Sequence, residues 1–313
     1  MSGTEPARTP GRGATAAGVT VRVPAKVNVQ LAVGAARPDG FHDLANVFLA
    51  VSLHDEVTAT PAAALTVTCE GPDADKVPLD RTNLAARAAE LLAARHGISP
   101  DVHLHIVKDI PVAGGMAGGS ADGAGALLAC DALWGLNSSR AELLEICAEL
   151  GSDVPFSLVG GAALGTGRGE RLTDVPVGGT FHWVFAVADG GLSTPAVYGE
   201  FDRLNDGVDV PEPAASPALL EALRTGDAGA LAGALANGLQ PAALSLRPSL
   251  SATLDAGLTA GALAALVSGS GPTTAFLVKD AESAESVAAA LVASGTCRTA
   301  RTATSPAPGA TVR

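Results

Sequence analysis

Apolar side chains alternate with other residues near the start of the chain. Between Val19 and Val33, seven of the odd-numbered positions carry valine or leucine. A period of two is typical of a β-strand with one buried face. Lys26, Asn28 and Gln30 then share the opposite face, and Pro24 indicates an edge or a bulge nearby. We therefore predict an early strand that carries a row of polar side chains.

Capping residues, glycine stops and alternation predict further elements along the chain. These are a helix from Asn83 to Gly97, a strand over 102–108, a helix from Ser120 to Trp134, a helix from Ser139 to Gly151 and a strand from Phe181 to Ala188. Residues 202–217 are rich in proline and aspartate, which favours an irregular connection. Helices and strands then alternate to the end of the periodic region. The mixture predicts an α+β protein with two lobes, whose boundary we place near residue 175.

Composition agrees with a folded protein and disfavours some partners. The chain has 313 residues, of which 47% are hydrophobic and 17% charged. That balance is typical of a globular protein with a sizeable core. The formal net charge of −12 disfavours nucleic acid and anionic membrane surfaces as partners. Any phosphate that binds must therefore be held by local geometry.

Neither export nor membrane insertion is predicted. The start of the chain has no apolar run of the kind found in a secretory signal, and no window approaches the ~20 apolar residues of a membrane span. The four cysteines have unrelated spacings, which is typical of reduced cytosolic thiols. We expect a cytoplasmic protein with disordered tails at residues 1–18 and 303–313, where periodicity is missing.

A glycine-rich loop separates the strand over 102–108 from the helix that begins near Ser120. Four glycines fall within residues 114–119, so the backbone can approach a ligand closely and present several N–H groups to it. The N-terminus of the next helix adds partial positive charge. The pattern predicts a phosphate cradle, although it lacks the Gly-Lys-Ser/Thr ending of a Walker A loop. By composition alone, a flexible surface turn is equally compatible.

Other features carry weaker signals when each is taken alone. A strand lysine such as Lys26 is usually a solvated charge, and an aspartate just after a helix, such as Asp153, is usually a cap or turn residue. The glycine-rich turn over 268–273 indicates no specific chemistry by itself. His103 and His105 share a strand face and could share a metal. Because their motif lacks a carboxylate or cysteine companion, we favour a solvated face.

The order of these motifs resembles the GHMP kinase superfamily. The matching segments are Pro24-Ala25-Lys26-Val27-Asn28, the Gly-Gly-x-x-Gly-Gly-Ser loop, Gly151-Ser152-Asp153-Val154-Pro155-Phe156 and Ser268-Gly269-Ser270-Gly271-Pro272-Thr273. The resemblance runs through nearly the whole periodic part of the chain. It implies a two-lobed α+β fold, with a ribosomal-protein-S5-domain-2-like, ATP-binding lobe over 19–175 and a ferredoxin-like lobe over 176–302.

The same resemblance implies that Lys26 and Asp153 are the catalytic pair of a small-molecule kinase. It also implies that the loop surrounds the phosphates of ATP. The loop residues are Pro111, Val112, Ala113, Gly114, Gly115, Met116, Ala117, Gly118, Gly119, Ser120 and Ala121. The residue types suit the reaction, because a carboxylate can accept the proton of the attacking hydroxyl and a lysine beside it keeps that carboxylate ionised. Mg²⁺ is expected with ATP, since hard cations bridge phosphate oxygens.

Within the superfamily, the segment Arg37-Pro38-Asp39-Gly40-Phe41-His42 is most similar to kinases of non-mevalonate isoprenoid biosynthesis that act on a cytidine-diphosphate-linked methylerythritol. The likeness implies ATP-dependent phosphorylation of the 2-hydroxyl of that small molecule. The implied substrate-binding residues are Asn28, Phe41, His42, Thr194 and Tyr198. Two alternatives stay open. One is a GHMP kinase for another alcohol, such as homoserine or mevalonate, and the other is a non-catalytic ligand-binding or regulatory protein on the same fold.

Three positions depart from the family pattern. Tyr198 stands where a phenylalanine is common. It retains a ring that can stack on a base, although plain core packing also explains it. In the loop, Ala117 replaces a glycine and Ala121 replaces a serine. If position 117 requires a positive φ, we expect Ala117 to carry backbone strain.

Overall fold

Two β-sheets divide the structure, a computed structural model that describes residues 18–313. Within these residues lie twelve strands: β1 Val19–Ala36, β2 His42–Pro61, β3 Thr66–Glu70, β4 Val102–Val107, β5 Ala162–Thr166, β6 Arg171–Asp174, β7 Phe181–Val187, β8 Ala236–Asn237, β9 Ala264–Val267, β10 Thr274–Val278, β11 Thr299–Ser305 and β12 Thr311–Val312. The same part of the chain forms ten α-helices: α1 Leu84–His96, α2 Gly118–Trp134, α3 Arg140–Leu150, α4 Val154–Val159, α5 Thr194–Leu204, α6 Pro217–Thr225, α7 Ala228–Ala234, α8 Gln240–Leu246, α9 Ser249–Thr259 and α10 Ala281–Ala293. Nearly all of the tail expected at 1–18 lies outside the described residues.

The first sheet is organised by the long antiparallel pair of β1 and β2. Its main path is β12-β1-β2-β4-β3, with β5 added to β2, β6 to β5 and β8 to β1. Helix α2 packs on β1 and β2, and α1 and α4 pack on α2. The register between β1 and β2 shifts between Pro24 and Ala25, so the bulge expected near Pro24 is confirmed.

The second sheet is antiparallel throughout, in the order β11-β7-β10-β9. Trp183 and Phe185 on β7 are buried, and α9 and α10 cover this sheet. The chain leaves the first sheet after Asp174 and enters the second at Phe181. It returns to the first sheet twice, through β8 and β12. The lobe boundary near residue 175 stays a prediction.

Both faces of β1 are buried along its middle, whereas the alternation predicted one buried face. Lys26, Asn28 and Gln30 are only 4%, 1% and 6% exposed. The reason is that later parts of the chain cover this face. For example, the Gln30 side chain donates to the Ala214 carbonyl at 2.7 Å, and β8 pairs with β1 at Gln30. Of the polar row, Lys26 and Asn28 therefore line the cleft between the two lobes, and Gln30 is covered by the chain at 214–216.

The interpretation of residues 303–313 as a disordered tail is wrong. Residues 303–305 belong to β11, and β12 pairs with β1 through Val21 and Val312. Between them, the chain passes α4, where Gly161 N–H donates to the Ala307 carbonyl at 2.8 Å. Small residues allow this close approach, since a Cβ on Gly309 would lie 2.3 Å from the Leu158 carbonyl oxygen. The segment is anchored by backbone contacts, so it lacks the apolar periodicity that predicts order.

Most of the expected helices and strands are confirmed with small shifts at their ends. The Asn83 side chain caps α1 by accepting from Ala85 N–H at 2.8 Å, and Gly97 ends the helix at a φ of 64°. Ser139 caps α3 in the same way, and α2 begins two residues before the expected Ser120. The connection predicted over 202–217 starts later, because α5 continues to Leu204. Across residues 18–313, no helix is both long enough and apolar enough to span a bilayer.

Candidate active site

A cavity of about 780 Å³ opens between the two lobes. Its walls come from β1, the start of β2, the glycine loop, α5 and the turn at 269–271. It brings together all of the predicted catalytic and substrate-binding residues, namely Lys26, Asp153, Asn28, Phe41, His42, Thr194 and Tyr198. Seven of the predicted loop residues also line it: Ala113, Gly114, Gly115, Ala117, Gly118, Gly119 and Ser120. Pro111, Val112, Met116 and Ala121 are not part of its lining, and the Met116 and Ala121 side chains belong to the core.

Lys26 lies at the bottom of the cavity and is almost fully buried. Its Nζ donates to Asn28 Oδ1 at 2.6 Å and to the Gly115 carbonyl at 2.9 Å. The Asp153 Oδ2 atom lies 3.6 Å from the same Nζ. Burial lowers the pKa of the Lys26 ammonium, and the Asp153 carboxylate opposes that effect. Lys26 is therefore not the solvated charge that a strand lysine usually is.

Asp153 occupies the N-cap position of α4, but within residues 18–313 its side chain makes no capping hydrogen bond. Instead the carboxylate turns towards Lys26, and a third of its surface stays open to the cavity. The local sequence explains the placement, since Gly151 ends α3 and Pro155 favours the start of a new helix one turn later. The arrangement presents a carboxylate and an ammonium to the same point in the cavity.

Asn28 is held by a partner that the sequence patterns did not reveal. Its Nδ2 donates to Asn46 Oδ1 at 2.7 Å, and its Oδ1 accepts from Lys26. Asn46 is 4% exposed on β2, within an otherwise apolar run. A lone amide in such a run must find a hydrogen-bond partner. The single asparagine among apolar residues was therefore the sequence feature that could have indicated a buried polar contact here. The two amides fix the orientation of the Lys26 side chain.

The glycine loop is fastened to the turn at 268–273. Ser268 Oγ donates to the Gly115 carbonyl at 3.1 Å. Gly115 has a φ of 74°, and a Cβ there would lie 2.1 Å from the Ser268 carbonyl oxygen. Gly269 approaches the pair from the other side, where a Cβ would lie 3.3 Å from Lys26 Nζ. The second glycine-rich turn, which carried little signal alone, therefore completes the site around Lys26.

Helix α2 begins at the cavity, and no side chain of the described part of the chain caps it. Ala117 precedes it with a φ of 60° and a ψ of 32°, so the positive φ suspected at this position is present. Gly119 and Ser120 in the first turn line the cavity. Free N–H groups at the start of a 17-residue helix favour an anionic group. The geometry suits the predicted phosphate cradle.

Gly118 and Gly119 face different surroundings although they are neighbours. A Cβ on Gly118 would lie 2.9 Å from the Nζ of Lys108 and 3.3 Å from Ile110, both in the interior. A Cβ on Gly119 would find only Leu84 at 3.9 Å. A side chain at 118 would therefore press on the buried floor of the loop, whereas a side chain at 119 would extend into open space beside the cavity.

Aromatic side chains line the other end of the cavity. The Phe41 ring is 48% exposed, and the Arg168 guanidinium lies 5.0 Å from its centroid. His42 is buried, its ring centroid is 5.0 Å from that of Tyr198, and its Nε2 lies 2.7 Å from Asp202 Oδ1. Burial, and secondarily Asp153, raises the pKa of the Tyr198 hydroxyl. Sequence patterns did not indicate Arg168, which lies in the turn between β5 and β6. They did not indicate Asp202 either, which lies in the last turn of α5.

Thr194 lines the cavity, whereas the two strand histidines do not. Thr194 Oγ1 lies 3.0 Å from Ser270 Oγ, so it links α5 to the turn. His103 and His105 lie on β4, where both rings contact the Thr68 hydroxyl, at 2.8 and 2.9 Å. The interpretation of the histidine pair as a polar strand face agrees with this placement. The four cysteines are free, as expected.

Comparisons with known proteins agree with this architecture. The model for the GHMP kinases N terminal domain matches residues 83–161, and the model for the GHMP kinases C terminal domain matches residues 219–296. The chain belongs to the GHMP kinase family. The predicted kinase class and the two-lobed α+β fold are therefore confirmed.

Individual relatives show which members of the family this chain is similar to. A 4-diphosphocytidyl-2-C-methyl-D-erythritol kinase of Streptomyces avermitilis is 82% identical over 94% of this chain and 99% of its own length. The enzyme of the same name in Streptomyces coelicolor is 79% identical over 94% of this chain and 99% of its own length. A crystal structure of 4-(cytidine 5'-diphospho)-2C-methyl-D-erythritol kinase is similar with a TM-score of 0.73 and 32% identity, over 91% of this chain and 98% of that one.

Proposed function

We propose that this chain transfers the γ-phosphoryl group of ATP to the 2-hydroxyl of 4-diphosphocytidyl-2-C-methyl-D-erythritol. The observation that carries the proposal is the Lys26–Asp153 pair, with 3.6 Å between Nζ and Oδ2 at the bottom of the cavity. The glycine loop, which Lys26 contacts through the Gly115 carbonyl, and the aromatic residues Phe41 and Tyr198 line the same cavity. The high identity to kinases of that name supports the choice of substrate.

Asp153 would accept the proton of the attacking hydroxyl. As that proton leaves, the 2-oxygen forms a bond to the γ-phosphorus, the bond from this phosphorus to the bridging oxygen breaks, and ADP departs. Lys26 would keep Asp153 ionised and place positive charge beside the transferring group. Because Asn28 and the Gly115 carbonyl already hold the Lys26 ammonium, little reorganisation is needed when the substrates arrive.

The glycine loop and the first turn of α2 would hold the phosphates of ATP. Their N–H groups provide the anion-binding geometry that an acidic chain must build locally. We propose that Mg²⁺ accompanies ATP and neutralises phosphate charge. Ser120 carries a hydroxyl oxygen and lines the cavity at the start of α2, so it can give one protein ligand to a cation whose other ligands are phosphate and water oxygens.

The aromatic end of the cavity would bind the cytidine. Phe41 and Tyr198 offer rings for stacking on the base, and His42 offers polar atoms at its edge. Asn28 and Thr194 would contact the remainder of the substrate. Binding energy from such remote contacts helps to position the reacting hydroxyl. A cytoplasmic location also stays a prediction, with both substrates as soluble small molecules.

The direct test is phosphoryl transfer by the purified chain. We expect ATP and the cytidine-linked substrate to give ADP and a phosphomonoester, which ³¹P NMR identifies. Homoserine, mevalonate and methylerythritol without the cytidine diphosphate serve as matched acceptors and should react very poorly. Efficient transfer to one of them, or none to the cytidine-linked substrate, would refute the proposed activity.

A further inference from the structure

A second lysine is buried directly beneath the glycine loop. Lys108 follows β4, and its Nζ donates to Asp55 on β2 and, at 2.8 Å, to Asp122 Oδ2 on α2. The three side chains are 1%, 0% and 4% exposed. None of them lines the cavity, so the reaction proposed above gives this charged cluster no part.

The cluster contacts the chain immediately before and after the loop. Asp55 Oδ1 accepts from the N–H groups of Asp109 and Ile110, at 2.7 and 2.8 Å, just before Pro111. Asp122 directly follows Ala121, the last loop residue. Lys108 joins the two carboxylates and therefore ties the entrance of the loop to its exit.

Lys108 also contacts the loop from below. Its Nζ would lie 2.9 Å from a Cβ added at Gly118, so there is no room for a side chain between them. Its own backbone is fixed, since Lys108 N–H donates to the Glu70 carbonyl at 2.8 Å. The ammonium thus lies directly against the start of α2, where the phosphates are proposed to bind.

The Asp122 side chain is only partly satisfied within the cluster. Among the described residues, Asp122 Oδ1 is buried without a hydrogen-bond partner, which is costly for a buried polar atom. The other oxygen, Oδ2, accepts from Lys108 at 2.8 Å. Lys108 is therefore the partner that holds the Asp122 side chain, and through it the first turns of α2, in place.

We propose that Lys108, with Asp55 and Asp122, is a positioning residue that holds the glycine loop in its phosphate-binding shape. The inference rests on the proposed function of the loop. A buried ion cluster is a weak source of stability compared with apolar packing. Its position between the two ends of the loop therefore favours a role in holding the loop over a role in stability. Its removal should affect ATP much more than the cytidine-linked substrate.

The test compares three substitutions on α2. Asp122→Ala removes the tie to Lys108 and leaves the Lys108–Asp55 pair balanced. Asp122→Asn keeps an oxygen acceptor for Lys108. Asp131→Ala is the matched control, because it removes another poorly exposed carboxylate of α2, one that accepts from Ser138 N–H at the far end. Calorimetry with Mg²⁺ and the non-hydrolysable analogue AMP-PNP gives the nucleotide Kd, and kinetics give both KM values.

We expect Asp122→Ala to raise the nucleotide Kd by about 10- to 100-fold, as for a misplaced positioning group. The KM for the cytidine-linked substrate should change by less than about threefold, or ~0.7 kcal/mol. Asp122→Asn should bind nucleotide like the wild type, and Asp131→Ala should lower the melting temperature without changing the Kd. A wild-type Kd in Asp122→Ala, an equal loss in Asp131→Ala or no rescue by Asn would each overturn the proposal.

A second variant covers the case in which Asp122→Ala does not fold. Gly118→Ala displaces the Lys108 ammonium from the loop side without removing a charge, and we expect the same selective loss of nucleotide affinity. Unchanged affinity in folded Gly118→Ala would overturn the proposal. The proposed activity fails separately, if the wild type binds AMP-PNP but does not phosphorylate the cytidine-linked substrate.

Discussion

Two buried lysines lie beside the glycine loop, Lys26 at Gly115 and Lys108 at Gly118, and their surroundings differ. Lys26 contacts two neutral carbonyl-type oxygens and has one carboxylate at 3.6 Å. Lys108 contacts two carboxylates directly. Burial lowers the pKa of both ammonium groups, but the two carboxylates outweigh it at Lys108, where the pKa is raised, and it prevails at Lys26, where the pKa is lowered.

The difference shows how one residue type can serve chemistry or architecture. At Lys108 the charge is compensated inside the protein and faces no ligand. At Lys26 compensation is incomplete, and Asp153 remains partly open to the cavity. A charge that the protein leaves partly unpaired is available to an anionic ligand or transition state. The region around Lys26 is therefore expected to control turnover, and the region around Lys108 to control binding at the loop.

The largest effect is expected from Asp153→Asn, which removes the only carboxylate recorded within salt-bridge distance of Lys26 in the described residues. The fold and nucleotide binding should persist, while kcat falls by about 100-fold or more, because a positioned base is lost. Steady-state kinetics measure the loss, with a melting curve and AMP-PNP titration as controls. Near-normal turnover in a folded variant would contradict the role of Asp153.

Sequence reasoning found the Lys26 region and missed the Lys108 region for a physical reason. Lys26 and Asp153 stand in local motifs whose order is informative, and the alternation of β1 is visible without partners. In the sequence, Lys108 is simply the last residue of an alternating strand. Nothing there points to its partner Asp55, which lies 53 residues away along the chain. The same holds for Asn46 and Asp202. Their roles arise from long-range contacts, which leave no periodic pattern in the sequence.

Tyr198 tests whether the Lys26 region extends to the base of the substrate. Stacking of a base on an aromatic ring is worth roughly 1–3 kcal/mol in single-stranded nucleic-acid binders. Tyr198→Ala should therefore lower kcat/KM by about 5- to 150-fold, measured at saturating ATP. Tyr198→Phe is the matched control and should keep most of the activity, because the ring is retained. Wild-type behaviour of Tyr198→Ala would argue against cytidine binding at this end.

Substitutions at Gly118 and Gly119 distinguish the Lys108 side of the loop from its cavity side. Gly119→Ser adds a small side chain on the open side and leaves Lys108 undisturbed. We expect its nucleotide Kd to rise by less than about tenfold. Gly118→Ser places its Cβ against the ammonium and should have the larger effect on both Kd and melting temperature. Calorimetry gives the nucleotide Kd of both variants, and thermal unfolding gives their melting temperatures. A larger effect of Gly119→Ser than of Gly118→Ser would contradict the placement of Gly118 against Lys108 and of Gly119 on the open side.

The smallest effect is expected from Ala117→Gly, at the point of the loop between the two lysines. Ala117 has a φ of 60°, and a left-handed conformation costs an L-residue roughly 1–2 kcal/mol that glycine does not incur. Glycine also raises the entropy of the unfolded chain, which offsets about 0.4–1 kcal/mol. The net result should be a free energy of unfolding that is unchanged or higher by up to about 1.6 kcal/mol. Ala132→Gly is the matched control, because Ala132 is exposed and helical on the same α2, and it should lower the stability by about 0.5–1 kcal/mol. Urea unfolding of both variants gives the comparison. If Ala117→Gly were as destabilising as Ala132→Gly, the left-handed residue at the start of α2 would carry no strain, and the substitution of glycine by alanine in this loop would cost the protein nothing.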